Sequence, residues 1–185
     1  SNPAVFVMMG AIMTLAVIYL PTEMVVLPAY FTLLGDPEGL GLVISVGATA
    51  SVIGALAFEQ IHKRFSYANI LRIAILGIAL SMFPASLLPP VPIMALFFFT
   101  LGLAWGPLLP LLNTVIQKKI PANKRGRVFA LEMTIWHAGP LISMVAVGTA
   151  VDTIGVGPVY LLLATGVLAA ALLVSFNRYI KQLNT

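Results

Sequence analysis

The sequence has no cysteine, two histidines and six acidic residues among 185. Without cysteine there is no disulfide, no thiolate metal site and no thiol redox chemistry. Two histidines and six scattered acids form no set with metal-ligand spacing, so neither a metal nor a cofactor is expected. Charge is scarce as well: 9% of residues, against roughly 25% in soluble domains. So few charges cannot cover a water-facing surface. Hydrocarbon takes their place, with 60% hydrophobic residues and a mean hydropathy of +1.04. Several apolar runs approach or exceed the roughly 20 residues that cross a bilayer as a helix. They are continuous, unlike the alternating pieces of about ten residues in a membrane β-barrel. The composition therefore predicts an all-α polytopic membrane protein with the lipid bilayer as its first partner. The chain opens SNPAVF, without a methionine, which reads as a cleaved tag or an excised fragment and not as a signal peptide.

Hydropathy predicts one bundle of six helices, at about 4–33, 40–60, 69–88, 93–117, 126–151 and 157–176. The LPPVP stretch at 88–92 is a turn, because consecutive prolines remove donors and bias their predecessors away from helix. The first helix is longer than a bilayer needs, and Pro21 and Pro28 are expected to bend it. The fourth is interrupted by Gly102, Gly106, Pro107 and Pro110. Such breaks are tolerated where packing or a cavity satisfies the freed carbonyls.

The ten basic residues fall in three places. Lys63, Arg64 and Arg72 follow the second helix. Lys118, Lys119, Lys124, Arg125 and Arg127 crowd the stretch KKIPANKRGRV. Arg178 and Lys181 lie in the tail. A six-span topology puts all ten on one face, opposite Asp36, Glu38 and Asp152. Such bias marks the cytoplasmic side, so both termini are expected there. KKIPANKRGRV then reads as an inside loop. It has neither the stacking aromatics nor the fold of a nucleic-acid site, and no nucleic-acid partner is expected.

The second helix ends GALAFEQIHKR, with Gly54 five residues before Glu59. The fifth ends GTAVDTIG, with Gly148 four residues before Asp152. One exit is inside and the other outside, which suggests two inverted three-helix copies, a pattern of secondary transporters. The segments VLPAYFTLLG (26–35), GLGLVISVGATASVIGALAFEQIHKR (39–64) and GLAWGPLLPLLNTVIQKKIPANKRGRVFAL (102–131) resemble the carboxy-terminal half of the major facilitator superfamily. The first two segments look like the seventh and eighth helices of its drug and siderophore exporters. The resemblance covers nearly all of the chain. Its cytoplasmic loop motif maps onto Gly54, Lys63 and Arg64. Phe58 stands where that motif has its aspartate, with Glu59 one residue on, and Ile61 replaces its second glycine. Arg125, Gly126 and Arg127 fit the later basic loop, and Gly148, Asp152 and Gly155 the shorter outer motif.

Ionisable groups inside a bilayer cost about 2.5–3.5 kcal/mol at a helix centre and need a reason. Glu132 falls about 10 Å below the inner surface at the helical rise. It reads as a proton carrier or counter-charge, or as an ion pair with Arg127 or Lys124. Trp136 lies one turn on, on the same face. His137 falls near the midplane, as a titrating group or a packing residue. Glu23 follows Pro21 in the outer half of the first helix, either functional or solvated at the interface. Asn113 and Gln117 are four apart on one face, and contact either a substrate or a neighbouring helix. Tyr30, other aromatics and eight methionines suit either an adaptable apolar pocket or ordinary packing.

The resemblance implies half of a secondary active transporter. Its expected work is proton-coupled efflux of amphipathic drug-like molecules or siderophores by alternating access, across a bacterial inner membrane. A single bundle needs an amino-terminal six-helix half or a second copy of itself, besides the small-molecule substrate. The alternative is a non-transporting scaffold or a homodimeric half-transporter. An intramembrane serine protease needs a Gly-x-Ser-x-Gly-like setting and a facing histidine. Ser45 in VISVG comes nearest and has no such partner, so no enzyme is expected.

Overall fold

The computed structural model describes residues 3–183, without the side chains of Arg178, Tyr179 and Lys181. The tail bases Arg178 and Lys181 therefore lie outside the described side chains. Among the described residues there is no strand, and six helices are long and apolar enough to cross a membrane. They are α1 (Pro3–Leu34), α2 (Pro37–Leu56), α3 (Tyr67–Ala85), α4 (Val91–Lys119), α5 (Ala122–Ile154) and α6 (Val156–Phe176).

The ends of these helices follow from local chemistry. Gly35 closes α1 in the left-handed conformation, φ 65°, and its N–H caps the carbonyls of Phe31 and Thr32. The Asp36 carboxylate then accepts from the Gly39 N–H at 2.9 Å and starts α2. Ser66 caps α3 in the same way. The turn expected over 88–92 is shorter at its far end, since Val91 and Pro92 already begin α4, and Leu88 takes φ 54° within it.

Several boundaries differ from the sequence reading. The helix expected over 40–60 ends at Leu56. A turn at Ala57 separates it from a short helix, Phe58–Arg64, which carries Lys63 and Arg64 into the polar end. The helix expected from 126 begins at Ala122, so Lys124, Arg125 and Arg127 stand in its first turns and not in a loop. A base at a helix N-terminus opposes the macrodipole. Arg125 offsets this by donating to the Ile120 carbonyl at 2.9 Å and to the Gln117 carbonyl, at the negative end of α4. The break in α4 is confined to Gly106 and Pro107, between Val91–Trp105 and Leu108–Lys119. Pro110 sits in the first turn of the second piece, where its missing N–H costs nothing.

In α1 the expected bend is a π-helical turn, Thr22–Val26, in which the Leu27 N–H reaches back to the Thr22 carbonyl. Pro21 and Pro28 bracket it. Each removes one donor from the α-ladder, and the wider turn absorbs the mismatch.

The packing has an internal symmetry. The α2 helix packs on α4 and α5 on α1. The α3 helix packs on α4 and α6 on α1, and α3 meets α6. Exchanging α1 with α4, α2 with α5 and α3 with α6 maps this set onto itself. Helices three apart in an up-down bundle run in opposite directions, so the two copies are inverted. The glycines obey the same exchange. Gly54 of α2 lies against Leu103 and Pro107, at the break of α4. Gly148 of α5 faces Val25, in the π turn of α1.

The two seams differ in tightness. A Cβ on Gly102 would run into the Gly47 carbonyl, and one on Gly106 into the Ser51 carbonyl. Small residues four apart thus bring the α2 and α4 backbones into contact, the membrane solution to helix association. The Ser81 and Thr100 hydroxyls bond at 2.8 Å between α3 and α4. At the basic end, Phe58, His62 and Tyr67 stack in series, with His62 and Tyr67 centroids 4.0 Å apart. Lys118 donates to the Tyr67 hydroxyl at 2.6 Å, tying that connection to the end of α4.

Candidate functional site

Between the two seams, α1, α2, α4 and α5 enclose a cavity of about 170 Å³. Tyr19 and Glu23 come from α1, one turn apart across the start of the π segment. Gly47, Ala48 and Ser51 come from α2, Trp105 from α4 beside its break, and Trp136 from α5. The interrupted stretches of both long helices therefore meet the cavity. This is where irregular backbone is tolerated at membrane depth.

The aromatic rings are continuous. Tyr19 and Trp105 lie 4.9 Å apart between centroids, tilted by 37°, and Trp105 and Trp136 lie 6.4 Å apart, tilted by 49°. Tyr19 and Glu23 stand side by side on the α1 wall of the cavity, one turn apart. Glu23 is half-buried and Ala48 is exposed, so the cavity is open on one side.

Behind this wall, Thr22 and Tyr160 are fully buried, and neither hydroxyl has a protein hydrogen-bond partner among the described residues. Tyr160 comes from α6, which packs against the π turn.

The other sequence candidates are spread over the bundle. Glu132 is buried, 6% exposed, on the inward seam of α5, one turn from Trp136 toward the basic end. Among the described residues it makes no ion pair, and the expected partners Arg127 and Lys124 are exposed. His137 is exposed on the outer face of α5, where Nδ1 donates to the Met133 carbonyl at 2.7 Å. Asn113 is half-buried and Gln117 exposed on the second piece of α4, and neither lines the cavity. Tyr30 sits edge-on to Phe31, 5.3 Å away, toward the acidic end of α1. Glu59, Lys63, Arg64, Gly126 and Arg127 are exposed, and Arg125 is half-buried on its carbonyls. At the opposite end Asp152 is exposed, and Gly155 makes the turn into α6 at φ 87°.

The reading from sequence brought Glu23 and Trp136 forward and left out Tyr19 and Ser51. Tyr19 was within reach: it stands four residues before Glu23, the spacing that stacks two side chains on one helix face. Ser51 carries no such signal, because it enters only through the approach of α2 to α4.

The family profile of the Major Facilitator Superfamily matches residues 1–144. The multidrug efflux pump Tap of Mycolicibacterium fortuitum is 26% identical over 167 residues, covering 90% of this chain and 41% of that protein. The pump of the same name from Mycobacterium bovis is 29% identical over 160 residues, 86% and 38% of the two chains. The niacin transporter NiaP of Acinetobacter baylyi is 27% identical over 107 residues, 58% of this chain and 24% of that one. The chain thus spans about two-fifths of the length of the efflux pumps it matches. No solved structure matches.

Proposed function

The chain belongs to the major facilitator superfamily, and from that premise we propose that it is one six-helix bundle of a secondary transporter that exports amphipathic drug-like molecules. The bundle works by alternating access, with an amino-terminal six-helix half as its partner. It lies in the inner membrane with both termini cytoplasmic, because the bases of the short connections gather at one end. The family assignment sets the membrane-enzyme reading aside.

The observation that carries the proposal is the cavity where the π turn of α1 and the break of α4 meet. Alternating access needs a site between helices that can change their packing, and interrupted helices supply it. Glu132 then serves as the proton carrier. It is buried, it has no ion-pair partner among the described residues, and it stands one helical turn from a wall of the cavity. Relatives named as multidrug efflux pumps favour a drug over a siderophore.

The test is proton-driven flux of two fluorescent amphipathic dyes, one cationic and one neutral, in everted vesicles. The chain alone is compared with the chain joined to an amino-terminal six-helix half from its parent reading frame. Transport of either dye by the joined form only, with proton dependence lost in Glu132→Gln, is the expected result. Equal transport by the chain alone replaces the missing half with a second copy. Dimerisation without flux in either form leaves the scaffold reading instead.

A further inference from the structure

The α2 and α3 helices each pack on α4 and, among the described residues, have no substantial contact with one another. A valley is left between them at the basic end, with α4 as its floor. Leu103, Ala104 and Pro107 form that floor, and Ile70, Ile73 and Ala74 form the α3 bank. Beyond Ala74 the valley narrows, because Gly77 lets α3 down onto Ala104: an added Cβ there would stand 2.9 Å from the Ala104 side chain. At its polar end the short helix Phe58–Arg64 crosses it, with Ile61 and the following Phe65 in the lining. The result is a groove of about 260 Å³, open to the outside past Phe65 and Ile73, which are 45% and 55% exposed.

We propose that this groove seats an anionic phospholipid, with one acyl chain between α3 and α4 and the phosphate at Arg64. It shares no lining residue with the cavity of the candidate site, so it holds whether or not that cavity takes substrate.

The lining selects the chain. Every lining side chain is apolar, and nothing inside answers a charge or a hydrogen-bonding group. A peptide segment or a polar drug would leave its donors and acceptors unsatisfied there. The reach agrees. From Tyr67 at the start of α3 to Ala74 the helix rises about 10 Å, so the groove runs from the polar end into hydrocarbon depth.

The mouth selects the head group. Arg64 is exposed and makes no ion pair among the described residues. It follows Ile61 by three residues and so shares the groove side of the short helix. Glu59, the acid of the same connection, precedes Ile61 by two residues and falls on the opposite side, as does Lys63 two residues after it. The α3 helix begins just beyond, at Tyr67, and brings its positive end to the same place. A zwitterionic head group would press its own cation against these positive groups. A head group with a single negative charge does not, and bases beside a bilayer attract such lipids.

The test places the purified chain in phosphatidylcholine nanodiscs that hold a small fraction of a photoreactive lipid. The probe carries a diazirine midway along one acyl chain and either a phosphatidylglycerol or a phosphatidylcholine head. Illumination and peptide mapping then locate the labelled residues. The phosphatidylglycerol probe is expected to label 70–74 and 103–107 several-fold more than the phosphatidylcholine probe. Arg64→Gln should lower that labelling about fivefold, the scale of one base at an anionic surface. Arg64→Lys and Lys63→Gln should both retain it. Ile73→Trp, a larger side chain at an exposed position of the bank, should fill the groove and remove labelling by either probe. Equal labelling of the groove by both probes overturns the proposal and leaves an ordinary lipid contact. So does phosphatidylglycerol labelling that avoids the groove. An equal loss in Lys63→Gln and Arg64→Gln also overturns it, since the attraction then belongs to the whole basic end. If Arg64→Gln loses its helical circular dichroism, the two probes on the unaltered chain and on Ile73→Trp decide.

Discussion

Tyr160 and Thr22 bury hydroxyls without protein partners behind the cavity wall. Leaving a polar group so placed costs about 1–3 kcal/mol, whereas removing it with its shape kept costs little. Tyr160→Phe is therefore expected to be neutral or to stabilise the bundle by about 1 kcal/mol. Unfolding in a mixed-detergent titration, followed by circular dichroism, measures this. A loss of about 2 kcal/mol or more would show that the hydroxyl has a structural partner. Arg125 presents the opposite case. It donates to two carbonyls at the end of α4, so Arg125→Ala leaves those carbonyls uncapped. Faster amide exchange in the last turn of α4 is expected, with the rest of that helix unchanged.

At the scale of the elements, the two equivalent seams make contrasting predictions. Gly54 presses against the backbone of α4 at its break, while the nearest atom to a Cβ on Gly148 would be Val25 Cγ1 at 4.0 Å. Gly54→Ala is expected to cost about 1–3 kcal/mol, because overpacking a backbone contact forces the helices apart. Gly148→Ala should be neutral or slightly stabilising, since alanine is the better helix former by about 1 kcal/mol. The same detergent titration compares them, and equal costs would mean that the seams do not differ. The α2–α4 seam is the tighter wall of the cavity and the α5–α1 seam the looser one.

At the scale of the molecule, the proposed orientation can be read directly because the chain has no cysteine to remove. Lys124→Cys stands at the basic end and Asp152→Cys at the opposite end, both at exposed positions. In right-side-out vesicles an impermeant maleimide is expected to label Asp152→Cys and to spare Lys124→Cys. The everted preparation should reverse the pattern. Labelling of Lys124→Cys from outside would invert the proposed topology. The outward faces of α2 and α5 carry Leu42, Val52, Leu56, Leu141, Ile142 and Val145 to the surface. A bundle with two of its helices so thinly packed leaves a broad apolar face for lipid or a partner bundle.

The sequence by itself determined the class, the number of spans and the charged end, because a bilayer reads composition over some twenty residues and needs no tertiary contact to do so. It also foretold that α1 and α4 would be interrupted, at Pro21 and Pro28 and at Gly106 and Pro107, although Pro140 alone leaves α5 a continuous helix. The form of each interruption was not local. Whether Pro21 and Pro28 make a kink or a π turn depends on what packs beside them. The early start of α5 was hidden for a related reason. KKIPANKRGRV has the charge of a loop, and only the carbonyls at the end of α4 give Arg125 a place in a helix. Glu132, His137, Asn113 and Glu23 looked alike as polar residues in oil. Helix rotation separates them, burying Glu132, exposing His137 and turning Glu23 toward two tryptophans more than eighty residues away. That choice rests on how α1 packs against α5 and α6 and how α2 packs against α4, contacts between distant segments that a one-dimensional pattern of side chains does not encode.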